Sequence, residues 1–124
     1  MEPREMMKAY VDALNKGCAE DCEKLFTKDG LVVSPIYGEK MATEFYKEMF
    51  ADGSETKIKL LNIFLSEDSN FGACHFICEW TLKDGTPTSL NVVDIFEFSE
   101  DGKIKKLSII YDAQKAREAV KNLK

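Results

Sequence analysis

The sequence predicts an α+β domain in which helices come first and an antiparallel sheet follows. Two observations carry this. Apolar residues recur at helical spacing through the first fifty positions, and from residue 56 onward the period changes to strict alternation. The alternating runs are joined by "DSN", "KDGTP" and "EDGK", short Asp- and Gly-containing connections of the hairpin kind. A chain of 124 residues is one domain, residues 1–124, with helices laid on one face of a curved, mainly antiparallel sheet.

The first helix is "PREMMKAYVDALNKG", opened by Pro3 and stopped at Gly17. Met6, Met7, Tyr10, Val11 and Leu14 form its apolar stripe. A short second helix, "AEDCEKLF", ends in the turn Thr27 to Gly30. "LVVSP" is a brief extended piece closed by Pro35, and Gly38 precedes a third helix, "EKMATEFYKEMF", broken at Asp52-Gly53-Ser54. Four strands follow, Thr56 to Glu67, Phe71 to Leu82, Ser89 to Ser99 and Lys103 to Asp112. The last segment, "AQKAREAVKNLK", is either a final helix or a fraying end. Apolar residues on both strand faces leave one face for the helices and the other for a second subunit, so a homodimer through the sheet is expected.

Composition narrows the partners. With 22 acidic against 17 basic residues the net charge is −5, which argues against nucleic acid and an anionic membrane surface. No apolar run approaches the ~20 residues that span a bilayer, and "MEPREMMKAY" lacks a signal-peptide core, so the expected location is the cytoplasm. Four cysteines fall as Cys18-x-x-x-Cys22 and Cys74-x-x-x-Cys78. Cys74 and Cys78 lie in a strand, where four residues span ~13 Å. Thiolates sharing one zinc sit ~2.3 Å from it, so this pair does not fit a metal, and free thiols are expected. His75 and Glu79 face away from the row of Cys74, Phe76, Cys78, Trp80 and Leu82.

The third strand, "SLNVVDIFEF", holds the residue that asks for an explanation. Asp94 shares a strand face with Leu90, Val92, Phe96 and Phe98. An ionised carboxylate there is costly; either it finds a partner or a route to water, or it takes up a proton.

The chain resembles the nuclear-transport-factor-2-like superfamily, the cone-shaped, cystatin-like fold of ketosteroid isomerases and SnoaL-like polyketide cyclases. "KAYVDALNKG" resembles the isomerases' first helix and places Tyr10 on a pocket tyrosine. "GEKMATEFYKEMF" resembles their third helix, with Tyr46 on a second tyrosine bonded to the first. "GTPTSLNVVDIFEF" places Asp94 on the pocket aspartic acid, and "GKIKKLSIIYD" puts Tyr111 on an aromatic pocket position. The resemblance implies that Asp94 stays protonated and, with Tyr10, donates hydrogen bonds to a ligand oxygen. It also implies an apolar lining: Leu14, Phe26 and Tyr46 from the first half, Phe76, Trp80, Val92 and Phe96 from the middle strands, and Leu107, Ile109 and Tyr111 from the last. The family's general-base aspartate corresponds to Ser34 in "VVSPIYG", and a serine hydroxyl does not abstract a proton α to a carbonyl at neutral pH.

Two readings follow. In one the chain is a proton-transfer enzyme of isomerase, cyclase or lyase type, binding a small apolar carbonyl compound without a cofactor or metal. Tyr10 and Asp94 would be its donors, and water near Ser34 or a rim carboxylate such as Asp112 would complete the transfer. In the other the same pocket, or the dimer, serves binding alone.

Overall fold

Pro3 starts helix α1 (Pro3–Lys16), and the Gly17 N–H returns to the Leu14 carbonyl at its end. The buried face is Met6, Met7, Tyr10, Val11, Ala13 and Leu14, the predicted stripe with one alanine added. The computed structural model describes residues 1–124.

Helix α2 (Ala19–Glu23) is shorter than its sequence suggests. Phe26, expected at its end, instead opens strand β1 (Phe26–Ser34). The cause is tertiary: Phe26 pairs with Ile104, and the Ile104 N–H bonds the Leu25 carbonyl at 2.9 Å. The expected turn Thr27–Gly30 is a bulge inside β1, where the register with the last strand shifts between Phe26 and Leu31. Gly30 folds back onto Phe26 so closely that a Cβ would stand 2.8 Å from the phenylalanine Cβ.

Three residues, Pro35 to Tyr37, turn the chain into strand β2 (Gly38–Met41), antiparallel to β1. The third helix therefore begins later than predicted, as α3 (Ala42–Asp52). Glu39, Lys40 and Met41 are held in extended form opposite Val33, Val32 and Leu31, a pairing that overrides their helical pattern. From Asp52 the chain passes directly into strand β3 (Gly53–Leu65). Strands β4 (Phe71–Leu82), β5 (Pro87–Phe98) and β6 (Ile104–Ile110) complete the sheet. The segment left open becomes helix α4 (Gln114–Leu123).

The sheet has six strands in the order β2-β1-β6-β5-β4-β3. Only β1 and β6 run parallel; every other neighbour pair is antiparallel. The predicted four-strand meander is present, and β1 and β2 extend it on the β6 side.

Helices α1 and α3 lie in the concavity of the curved sheet. Their apolar faces meet Cys74, Phe76, Val92, Phe96, Phe98, Ile104 and Leu107 in one core. A smaller cluster of Trp80, Leu82 and Val120 forms where α4 crosses the open end of the sheet. No helix is long and apolar enough to cross a membrane.

Candidate functional site

The site grows from one row of the sheet. Asp94 on β5 pairs with Ile109 on β6 and with Cys74 on β4. Val33 on β1 pairs with Ser108, so one step further along that parallel register Ser34 stands beside Ile109. Ser34, Ile109 and Asp94 thus form one rank across three adjacent strands, on the concave side.

Above this rank lies a cavity of about 60 Å³ lined by 17 residues, 14 of them hydrophobic. The lining contains Tyr10, Ser34 and Asp94, together with Leu14, Phe76, Trp80, Val92, Ile109 and Tyr111 of the expected set. Asp94, Tyr10, Val92 and Phe76 are buried, whereas Ile36, Tyr37, Met49, Leu90 and Tyr111 are half-buried and mark the mouth.

Four expected lining residues lie elsewhere. Phe96 and Leu107 pair with each other one rank deeper than Asp94 and Ile109, where side chains of α1 fill the space. The Phe96 and Tyr10 rings meet edge to face with their centroids 5.4 Å apart. Phe26 packs beneath Tyr10 and Tyr46 as core. Tyr46 is wholly buried behind Tyr10 and reaches the site only through its hydroxyl. Asp112 is not a rim carboxylate: it is exposed, outside the cavity, and its Oδ1 accepts the Gln114 N–H at the start of α4.

Alternation could have supplied Ile58 and Leu90, and the i, i+4 pair Phe45 and Met49 is visible on α3. Ile36 and Tyr37 carry no such signal, because the hairpin loop that aims them has no periodicity.

Asp94 is 1 % exposed, its Oδ1 is buried without a partner, and burial alone drives its carboxyl pKa well upward. No lysine or arginine pairs with it. A carboxyl in such surroundings holds its proton, and the neutral acid is a donor. The Tyr10 and Tyr46 hydroxyls share a hydrogen bond of 2.6 Å, and both phenols are pushed upward, chiefly by burial. When Tyr46 donates within the pair, the Tyr10 proton is free to point into the cavity.

Ser34 plays a different part. Its hydroxyl oxygen accepts the N–H groups of Ile36 and Tyr37, each at 3.2 Å, and so shapes the hairpin loop.

At the mouth, Tyr37 donates to the Asp52 Oδ2 at 2.6 Å. Lys124 reaches both oxygens of the same buried carboxylate, at 3.1 and 3.2 Å, tying α4 to the rim. Arg117 donates to the Pro35 carbonyl from the same helix. The Trp80 indole lies against Gly53, where a Cβ would come within 2.2 Å of its Nε1. Glycine is the only residue that leaves room for it.

All four cysteines are free thiols. Cys78 lines the cavity, and burial, reinforced by Asp94, pushes its pKa up to about 12, so it is a neutral apolar wall. His75 is on the outer face of the sheet, between Asn62 and Asn91, with Nε2 2.7 Å from the Asn91 Oδ1.

The sequence profile of the SnoaL-like domain matches residues 7–107. The chain belongs to the SnoaL-like family. Solved structures, among them an NTF2-like protein, share its fold. One is SalBIII, an epoxide hydrolase/cyclase-like enzyme with a role in pyran ring formation in the polyether salinomycin. It is 19% identical, with 89% of this chain and 90% of that one covered at a TM-score of 0.78. A putative polyketide cyclase from Pseudomonas putida KT2440 is 18% identical over 95% of this chain and 97% of its own, with a TM-score of 0.78. PrhC from Penicillium brasilianum is 15% identical over 97% and 85%, with a TM-score of 0.79. In the SnoaL-like chain the cavity sits between α1, α3 and the concave sheet, and the three residues singled out from the sequence, Tyr10, Ser34 and Asp94, all line it.

Proposed function

We propose that this SnoaL-like protein binds a compact apolar carbonyl compound with its oxygen turned toward Tyr10 and Asp94. The observation that carries this reading is the Asp94 carboxyl, buried without a partner in a cavity that is otherwise almost wholly apolar. Such a group is expensive in a folded core unless it serves a ligand. A phenol and a neutral acid are suited to an oxygen that gains negative charge, as in enol formation or acyl and epoxide ring opening. The cavity of about 60 Å³ is far below the roughly 300–1,000 Å³ of drug-sized sites, which favours a one-ring ligand or one ring of a larger molecule.

A second reading is favoured by the lining itself. Asp94 is its one carboxyl, and no ionised group faces the ligand to accept a proton. In this reading the protein holds its ligand without turnover, and steroid double-bond isomerisation is negligible. The assembly is a homodimer through the outer face of the sheet.

Binding of substituted phenols, followed by NMR or calorimetry, tests the donor pair. Tyr10→Phe should weaken a phenolate-type ligand about 10- to 100-fold, the usual worth of a hydrogen bond to a charged group. Equal affinity in the two proteins would remove the donor role. Ring-opening or cyclisation activity abolished by Asp94→Leu would select the enzyme reading, and tight binding without turnover the other.

A further inference from the structure

We infer that Ser34 is a second ligand-binding donor, and that the cavity selects compact ring compounds bearing hydrogen-bond acceptors at two opposite positions. This rests on the proposed reading of Tyr10 and Asp94 as the first donor pair.

A hydroxyl has two acceptor lone pairs and one proton. In Ser34 both lone pairs are engaged by the Ile36 and Tyr37 N–H groups. What remains is the proton, and no protein acceptor takes it. Ser34 is 7 % exposed, so bulk water is not its natural partner, and it lines the same cavity as Asp94. The hairpin loop has therefore converted a nominally ambivalent hydroxyl into a donor facing inward. It cannot act as a base, because the electron pairs a base would use are occupied.

The rank across the sheet gives the span. Neighbouring strands lie ~4.8 Å apart, so the α-carbons of Ser34 and Asp94, separated by the strand of Ile109, stand roughly 10 Å from each other. Both project from the concave side, where curvature draws side chains together. A ring lying over Ile109 meets a donor at each end. Cyclic diones, quinones and keto-lactones supply acceptors at both ends. An ammonium or amide N–H at the Ser34 end would face another donor and is disfavoured.

The test compares cyclohexanone with cyclohexane-1,4-dione by NMR titration against the intact protein. The dione should bind about five- to tenfold more tightly, beyond the twofold statistical gain of its two equivalent ends. Ser34→Ala should reduce the ratio to that statistical factor. Because that change also removes the acceptor for two backbone N–H groups, Ser34→Asp provides a check that keeps the turn. Its carboxylate can still accept both, yet it offers the cavity an acceptor, so it should bind the dione less tightly than cyclohexanone. A ratio near two in the natural protein, or an undiminished preference in both variants, overturns the inference while leaving the Tyr10–Asp94 reading intact. Failure of cyclohexanone and dione alike to bind overturns that reading, and this inference with it.

Discussion

Asp94 is the residue whose behaviour decides the site, and its pH dependence can be worked out. Burial raises its folded-state pKa well above the unfolded value. Over the interval between those values the folded protein holds a proton that the unfolded chain has lost. The contribution of Asp94 to stability is thus greatest at acid pH, falls by up to about 1.4 kcal/mol per pH unit through that interval, and levels off above the folded pKa. Asp94→Asn lacks this slope. Denaturant melts across pH should show the variant gaining on the parent as pH rises, and parallel curves would mean that residue 94 reaches water. Tyr46→Phe should cost about 1–3 kcal/mol in the same melts, since it leaves the wholly buried Tyr10 hydroxyl without its 2.6 Å partner. It should also weaken phenolate-type ligands, because Tyr10 donates better when it accepts from Tyr46. Asp94 was legible as an acid out of place in an apolar alternation, a signal contained in ten residues. Asp52 was not: its partners Tyr37 and Lys124 lie 15 and 72 positions away, and nothing local marks it as buried.

Among the elements, the β1–β2 hairpin supplies Ile36 and Tyr37 to the cavity mouth, and α4 is fastened to that hairpin through Arg117. Helix α4 covers Trp80 and Leu82 with Val120, and Lys124 and Arg117 fasten it to the rim. Trp80 is the only tryptophan, which makes its emission a local probe. Val120→Asp puts a carboxylate against that cluster and should release the helix. The expected result is a red-shifted fluorescence maximum and faster ligand exchange, with the far-UV spectrum reduced only by the loss of one helix. An unshifted maximum would show that α4 does not shield the indole. Local pattern gave α1 almost completely, because its start, stop and stripe are all encoded within its own residues. It misplaced the start of α3, since Glu39 to Met41 are extended only through pairing with β1. It also read the β1 bulge as a turn, for the equivalent reason that β6 straightens the chain on either side of it.

At the scale of the molecule, the outer sheet face bears on assembly. Asn62, His75, Val93 and Ile110 run in one rank across it, and Phe64, Ala73 and Ile95 in the next. Phe64 and Ile110 are 56 % and 54 % exposed on this face, apolar surface that a second copy would cover. Light scattering should therefore give twice the chain mass. The double change Phe64→Lys and Ile110→Lys should give a monomer of unchanged circular dichroism; a monomeric parent would sink the homodimer. The antiparallel meander was readable because hairpins join neighbours in sequence. The parallel pair was not, because Val32 and Leu107 meet across 75 positions with no local mark. That pair has a consequence in time. Strand β6 slots between β1 and β5, so the floor of the cavity forms only after β6 has been made. A nascent chain halted near Ser99 can form the β3–β4–β5 meander yet lacks Ile109, the middle member of the rank that joins Ser34 to Asp94.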